Sequence, residues 1–485
     1  MSNLSNSLNQ AILKSLAGKY SLYIFQIISL AILSRLYTPQ MFGVLAAVTV
    51  LILFFQLIAT SGLGPAVIYA KSISIDQRDG IFTASFIIGS VGALLFYILT
   101  PNIMTWLGIE NLAYINLVLA FNILFSALSM LPLASLQKDT QFLLIAKAEI
   151  IAELLSLAVA VVMYFQGFGV LGLISKLMVV PIIRFSFYHL SSAKSSIGKA
   201  YFGKDIKAIY TLFAVAKYQL AFNILNFFSR NLDTILITKY FGAVAVGFYE
   251  KSYQVMRYPL QLFTFAITPA LQPILTEHKD NPFIVMKEFY RIAIKLACLG
   301  VFTSMVLYWS AADIVLILFG PQWESTVYIL KVLSVTVPLQ MVLSSTGGIF
   351  QAFGATKEMF YCGLFSSSTN VFAIVVGVLS GDLLTLCTCL AVSFALNYLQ
   401  CFYVLHKYLF KSYPIKQFLI LTTLIITCYL NLLDDATLSN ALGIGYIDAF
   451  INCLITSLLF FTIVTLLFIT ISKLGLLEVR PSNKD

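Results

Sequence analysis

Charge is scarce in this sequence. Asp, Glu, Lys and Arg make up 11% of 485 residues, against 60% hydrophobic residues and a mean hydropathy of +0.92. A water-soluble chain of this length cannot hide so much apolar surface. Hydrophilic length is scarce too: the longest polar stretch is 190–208, too short for a soluble domain with its own core. Histidine is limited to His189, His278 and His406, all at the ends of apolar segments, and the seven cysteines contain no C-x-x-C spacing. Such a set points to no metal centre and no histidine-based triad, and no cofactor is expected. Cys387, Cys389, Cys401 and Cys428 lie inside apolar segments, where cysteine acts as a small core residue. The alternating ten-residue blocks of a membrane β-barrel are missing, as is a small-residue cleavage site after the first apolar segment. These absences leave an all-α, multi-pass membrane protein.

What is present fits that class. Fourteen apolar segments lie near 16–36, 41–63, 81–101, 111–132, 143–164, 168–189, 209–236, 243–268, 289–309, 325–350, 358–379, 383–405, 416–433 and 447–472. Each is close to the ~20 residues that cross a bilayer. With the N-terminus in the cytoplasm, the inner segments carry Lys14, Lys19, Lys71, Arg78 and Lys138, then Lys194, Lys199, Lys204 and Lys207. Lys279, Lys287, Lys357, Lys407, Lys411, Lys416, Lys473, Arg480 and Lys484 complete the inner set. The outer loops hold little beyond Arg35 and Lys239, and Asp382, Asp434, Asp435 and Asp448 lie outside. Positive residues concentrate on the cytoplasmic side of such proteins, so both termini are expected there. This pattern accounts for the net charge of +9 without a nucleic-acid partner.

One stretch breaks the apolar rule. Lys217–Gln261 is apolar enough for a bilayer yet holds Lys217, Arg230, Asp233, Glu250, Lys251 and Arg257. A charge at the centre of a membrane helix costs about 2.5–3.5 kcal/mol on insertion scales, so several of them facing lipid would disfavour the span. Gln219, Asn223, Asn226, Arg230 and Asp233 follow helical steps of 4, 3, 4 and 3, and Glu250, Gln254, Arg257 and Gln261 follow steps of 4, 3 and 4. Two polar stripes on successive membrane helices suggest a water-filled central cavity, and its basic lining suggests an anionic cargo. Lys217, Arg230, Lys251, Arg257, Asn223, Asn226 and Gln254 are the candidate cargo contacts; Asp233 and Glu250 tune them or couple an ion. The competing reading is structural: Arg230 pairs with Asp233, and Lys217 and Lys251 snorkel to an interface. Glu149 and Glu153 share a face of the fifth span and admit the same choice, between a cation-coupling site and ion pairs with Lys147 or a neighbouring helix. Thr336, Gln340, Ser344 and Gln351 on the tenth span, and Ser393, Asn397 and Gln400 on the twelfth, are expected to hydrogen-bond between helices. Pro132, Pro181, Pro259 and Pro338 are candidate kinks.

The chain also repeats itself. Arg35, Phe42-Gly43 and Pro65-Ala66 recur 204 residues later as Lys239, Val246-Gly247 and Pro269-Ala270. Trp106-Leu107-Gly108 matches Leu318-Phe319-Gly320 at an offset of 212, and Leu136-Gln137 matches Phe350-Gln351 at 214. The expected organisation is two six-helix lobes, 1–207 and 208–410, around a central cavity, followed by two added helices and a tail in 411–485. Gln26 stands where the second copy has Arg230, and Lys19 where it has Asn223, so the strongest binding groups are expected in the second copy.

These motifs resemble a known family. The run LSRLYTPQMFGVLAAVTVLILFFQLIATSGLGPAVI, at 33–68, resembles the opening of Wzx-type polysaccharide exporters of the colanic-acid and teichuronic-acid branch of the MOP exporter superfamily. Arg35, Leu36, Pro39, Phe42 and Gly43 match the pattern there, with Tyr37 in place of a Leu. The run 229–263 is similar to the family's second hallmark through Asp233, Gly242, Gly247, Tyr249, Tyr253 and Pro259, with Lys239 for a frequent Arg. Residues 133–154 also fit. The resemblance implies a flippase, not an enzyme, moving an undecaprenyl-pyrophosphate-linked oligosaccharide across the bacterial cytoplasmic membrane by alternating access, for O-antigen, exopolysaccharide or capsule assembly. It implies membrane lipids around the chain, and a polymerase and chain-length regulator of the same pathway as partners. A peptidoglycan-precursor flippase or cation-coupled drug exporter of the same superfamily is the alternative, and a membrane polysaccharide polymerase or glycosyltransferase is the enzyme alternative. The basic excess disfavours cationic drugs, and the lack of a large outer loop disfavours an enzyme.

Overall fold

A computed structural model of the chain describes residues 2–60, 63–70, 72–109, 113–276, 281–433 and 445–473, without the side chains of 2–17, 113, 114, 211–219, 221, 222, 225, 265–274 and 433. The described chain is nearly all helical, and among these residues no strand occurs. The helices are α1 (Ser2–Leu36), α2 (Pro39–Thr60), α3 (Leu63–Tyr69), α4 (Ile75–Leu107), α5 (Ala113–Lys138), α6 (Phe142–Phe165), α7 (Val170–Ser191) and α8 (Ala208–Thr276). They continue as α9 (Pro282–Trp309), α10 (Ala311–Leu318), α11 (Glu324–Ser334), α12 (Val337–Ala352), α13 (Thr356–Leu379), α14 (Leu383–Val404), α15 (Ile415–Tyr429) and α16 (Tyr446–Lys473).

Among the described residues, 11 helices are long and apolar enough to cross a membrane, or 12 with the bent pair Pro321–Ser334 and Val337–Ala352. Among the described residues the fourteen expected spans fall on helical chain, but 209–236 and 243–268 share α8, and 325–350 is divided between α11 and α12; α1 and the first part of α8 contain residues outside the side-chain description. The bent pair turns by 53°, at the start of α12, where Pro338 supplies no backbone N–H. Gly300 of α9 lets that bend approach, since a Cβ there would lie 2.6 Å from the Pro338 Cα. The expected kink at Pro338 is thus a break between two helices, whereas Pro132 and Pro181 sit inside α5 and α7. Pro259 lies within α8, the loop 433–446 is outside the description apart from its ends, and Arg480 and Lys484 are outside it.

The chain divides into two compact units, Met1–Gly247 and Phe248–Asp485. In the first, α4 packs along α5 and α6 along α7, while α2 contacts α4, α5 and α7, and α1 lies on α6. The first limb of α8 joins this unit through Phe227 and Phe228, whose rings lie 5.4 and 5.7 Å from that of Phe54. In the second unit α9 is central, with α11, α12, α15 and α16 against it, and α13 pairs with α14. In α8, Gly242 has φ 85° and ψ 175°, which interrupts the helix and separates two limbs. Glycine adopts this conformation at no steric cost.

The backbone reproduces the repeat seen in the sequence. Gln141 N–H donates to Leu136 O at 2.9 Å, Thr140 to Gln137 at 3.0 Å and Phe142 to Thr140 at 2.9 Å. The same bonds, 214 residues on, join Ala355 to Phe350 (2.8 Å), Gly354 to Gln351 (3.0 Å) and Thr356 to Gly354 (2.9 Å). The central residue of each turn is left-handed: Thr140 at φ 56° and Gly354 at φ 67°. A further pair, Gly167 to Tyr164 at 3.0 Å and Gly381 to Val378 at 3.1 Å, keeps this offset, although its sequence shows little likeness. The offset of 204 has its own structural counterpart. A Cβ on Gly43 would lie 1.6 Å from Ala243 O, and one on Gly247 would lie 2.2 Å from Pro39 O. Pro39 and Ala243 are themselves 204 apart, so each glycine admits the helix start of the other copy. The two approaches are reciprocal in sequence, and all four residues belong to the first unit. The Pro269-Ala270 match lies outside the described side chains.

Candidate substrate path

The first limb of α8 carries the longer polar stripe. Asn223, Asn226 and Asp233 are half-buried, and Arg230 is exposed. At 100° per residue these positions lie on one side of the limb. Asp233 accepts from the Thr234 N–H at 2.8 Å, and among the described residues Arg230 and Asp233 are not paired with each other. Arg230 has no hydrogen-bond or ion-pair partner among the described residues. Beside the stripe the limb is apolar, with Phe227 buried against Phe54. Its end is fastened where Lys239 donates to the Trp106 carbonyl and lies 5.1 Å over the Trp106 ring. The side chain of Lys217 lies outside the described residues.

The second limb sorts its polar groups differently. Arg257 is exposed and stacks 4.1 Å from the Tyr253 ring centroid, a cation–π contact that fixes the guanidinium plane. Gln254 donates to the Tyr258 hydroxyl at 2.9 Å, and Glu250 and Gln261 are half-buried. Lys251 is only 4% exposed, with its ammonium 5.8 Å from both the Phe319 and Trp323 rings. Six residues separate Lys251 from Arg257, so about 120° of helix turn separates their side chains. The structure therefore groups Gln254 and Arg257 and turns Lys251 into an aromatic box built from the segment between α10 and α11.

Glu153 is engaged. It accepts from Lys176 of α7 at 2.6 Å, and Lys176 also donates to Ser29 of α1 at 2.8 Å. Glu149 follows suit, 3.5 Å from Arg184 and 3.3 Å from the Tyr188 hydroxyl. This ladder ties α6, α7 and α1 together. Sequence reasoning passed over Lys176 and Arg184, although their signal was plain: single charges inside an apolar span, opposite two glutamates. The expected interhelical bonds are present in the second unit. Gln340 donates to the Met256 sulfur of α8 (3.6 Å), Thr369 to Asn397 (3.0 Å), Ser393 to Asn370 (2.7 Å) and Gln400 to Cys362 (3.4 Å). A groove of about 450 Å³ between α9 and α16, lined by Phe302, Phe450, Leu454, Leu458 and Phe461 with Cys453 and Ser457, is the apolar counterpart of these polar features.

The teichuronic acid biosynthesis protein TuaB of Bacillus subtilis is 24% identical over 78% of this chain and 77% of its own length. The lipopolysaccharide biosynthesis protein WzxC of Escherichia coli is 23% identical over 72% and 71%. Among solved structures, a lipid II flippase MurJ in an inward closed conformation superposes with a TM-score of 0.70 at 15% identity, covering 93% of this chain and 98% of that one; this likeness is one of fold. A family model described as polysaccharide biosynthesis protein matches residues 32–328, more than half of the sequence, and the chain belongs to that family.

Proposed function

We propose that the chain is a flippase that carries an oligosaccharide linked to undecaprenyl pyrophosphate across the bacterial cytoplasmic membrane, for assembly of a surface polysaccharide. Membership in the polysaccharide biosynthesis family and likeness to proteins named for teichuronic acid and lipopolysaccharide biosynthesis support it. The observation that carries it is Arg230, a guanidinium exposed within a membrane helix and without a partner among the described residues. It lies 12 residues before the break at Gly242, roughly 18 Å along the helix, well inside a hydrocarbon core of about 30 Å. Arg257 lies 15 residues beyond the break, on the second limb of α8. A sugar headgroup bearing a pyrophosphate cannot cross hydrocarbon unaided. Cationic groups in a partly dehydrated chamber offset its charge, and guanidinium forks suit phosphate oxygens.

In this reading Arg230 and Arg257 meet the pyrophosphate, with Lys217 in support, and Asn223, Asn226 and Gln254 contact sugar hydroxyls. Lys251 serves the site indirectly from its aromatic box. Asp233 and Glu250 tune the arginines or couple an ion; Glu153 couples one only if its pair with Lys176 opens. The moving bodies are the lobes 1–207 and 208–410, with 411–485 added, both termini in the cytoplasm, and the Gly43–Gly247 contact holding one of the two states. A polymerase and a chain-length regulator then receive the product. The test is Arg230→Ala: surface polysaccharide is lost while the protein remains in the membrane at its usual level. Normal polymer from that strain overturns the assignment.

A further inference from the structure

Each copy ends in a short segment that leaves one membrane helix and enters the next, and so has to lie at the membrane surface. In the first unit it is 192–207, between α7 and α8. It is not slack. Tyr201 N–H donates to Asp79 at 2.9 Å, Gly203 N–H donates to the Thr83 hydroxyl at 2.8 Å, and that hydroxyl donates to Gly203 O at 2.9 Å. Ser196 donates to Asp139 from its backbone at 2.6 Å and its hydroxyl at 2.5 Å. The ledge is seated closely on α4: a Cβ on Gly80 would lie 1.9 Å from Asp205 O. Held in this way, the segment presents Tyr201 and Phe202 outward, 58% and 66% exposed. Lys199 lies 5.7 Å from the Tyr201 ring centroid, and Lys204 and Lys207 are exposed beside it.

The second unit builds the same chemistry from other parts. Here α14 runs into a π-turn, Leu405–Phe410, and Lys411 has φ 51°. Beneath the surface, His406 Nδ1 lies 2.6 Å from Phe402 O and its Nε2 2.7 Å from the Tyr290 hydroxyl. The Tyr413 ring stacks on that imidazole at 5.5 Å. Above it, Lys407 donates to the Tyr403 hydroxyl at 2.9 Å and lies over the Tyr403 and Tyr408 rings at 5.2 and 5.3 Å. Tyr403, Tyr408 and Tyr413 are all more than half exposed, and Lys407, Lys411 and Lys416 are exposed around them.

Exposed tyrosine and phenylalanine belong at the headgroup level of a bilayer, and lysines there attract anionic lipid. An acidic protein partner would account for the lysines but not for aromatic rings more than half exposed on both ledges beside membrane spans. We infer that the two ledges are binding surfaces for acidic phospholipid headgroups: ammonium groups take the phosphates while the rings enter the interface. The inference does not depend on the transported cargo.

The test uses the full chain in nanodiscs of equal parts phosphatidylglycerol and phosphatidylcholine, with bromine on the acyl chains of one lipid at a time. Phe202→Trp and Tyr408→Trp serve as reporters against the native tryptophans. An attraction of roughly 1 kcal/mol per lysine at an anionic surface corresponds to about five-fold enrichment. Stronger quenching by brominated phosphatidylglycerol than by brominated phosphatidylcholine is expected at both reporters, falling to parity when Lys199, Lys204 and Lys207 become Gln in the Phe202→Trp protein. Equal quenching by the two lipids in the lysine-bearing proteins shows interfacial seating without headgroup preference and overturns the proposal. Absence of quenching by either, as a ledge covered by protein or facing water would give, also overturns it. Loss of polysaccharide export in an arginine variant bears only on the flippase reading.

Discussion

The reciprocal glycine contact offers a quantitative test of alternating access. Replacing Gly43 with Val puts a Cβ 1.6 Å from the Ala243 carbonyl oxygen and 2.5 Å from its carbon. Carbon and carbonyl oxygen approach to about 3.3 Å at closest in ordinary packing, so the two backbones must part by about 1.7 Å. Neither side can yield by rotating a side chain, because the obstacle is main chain at a helix start. Overpacking of this kind costs about 1–3 kcal/mol. If the contact is made in only one of two states, that cost moves their ratio by roughly 5- to 150-fold. The readout is Val246→Cys, a buried position next to Gly247 in the chain, in a background without the seven native cysteines. Labelling with a membrane-impermeant maleimide from outside the cell should be slow in the parent and several-fold faster with Gly43→Val, while surface polysaccharide falls. Gly247→Val should act in the same direction, since its Cβ meets Pro39 O at 2.2 Å. Gly347→Ala is the control, with no atom within 4 Å of the added carbon. Unchanged labelling and normal polymer in both valine variants would refute the idea that the contact opens and closes during transport.

Other predictions concern single interactions. Glu153→Gln leaves Lys176 without its carboxylate and should destabilise the protein by about 3–5 kcal/mol, with Glu153→Gln plus Lys176→Met recovering most of the loss in a detergent melting series. Thr140→Gly should raise stability by up to ~1 kcal/mol, because a threonine occupies the left-handed turn position that the second copy fills with Gly354. Arg257→Lys keeps the charge but not the planar stack on Tyr253, so export should fall several-fold with protein level unchanged. Asp382 caps α14, accepting from the Thr385 hydroxyl at 2.7 Å and its N–H at 2.8 Å; these bonds hold its carboxyl below the usual carboxylate range. A lowered folded value means the stabilisation is present above the unfolded value of about 3.9 and is lost as pH falls through the folded one. Asp382→Asn should keep the cap and flatten that acid limb of the melting profile, whereas Asp382→Ala should cost about 1 kcal/mol at neutral pH.

How far the sequence could be read follows from which physical quantity each feature depends on. Spans were legible because burial in hydrocarbon is set by local composition: the apolar segments fall on helical chain among the described residues, although 209–236 and 243–268 share α8 and 325–350 is broken in two beside Pro338. The repeat was legible only where side chains survived duplication. The Gly167 and Gly381 turns share backbone bonds but little sequence, because many residues satisfy a helix end. The polar groups were legible in kind but not in grouping. Helical periodicity places Asn223, Asn226 and Arg230 on one side, and the structure keeps them there. Periodicity also separates Lys251 from Arg257 by about 120°, yet composition alone put both among the cargo contacts; what packs against each face is a non-local fact, supplied here by Phe319 and Trp323 from a segment some seventy residues on. Glu153 makes the same point from the other side: its partner Lys176 lies 23 residues away on the next helix. A charge in a membrane span thus declares that it has been compensated, and only the fold says by what. Arg230 stands apart because, among the described residues, nothing compensates it, and a guanidinium left so at this depth is where an anionic headgroup would have most to offer.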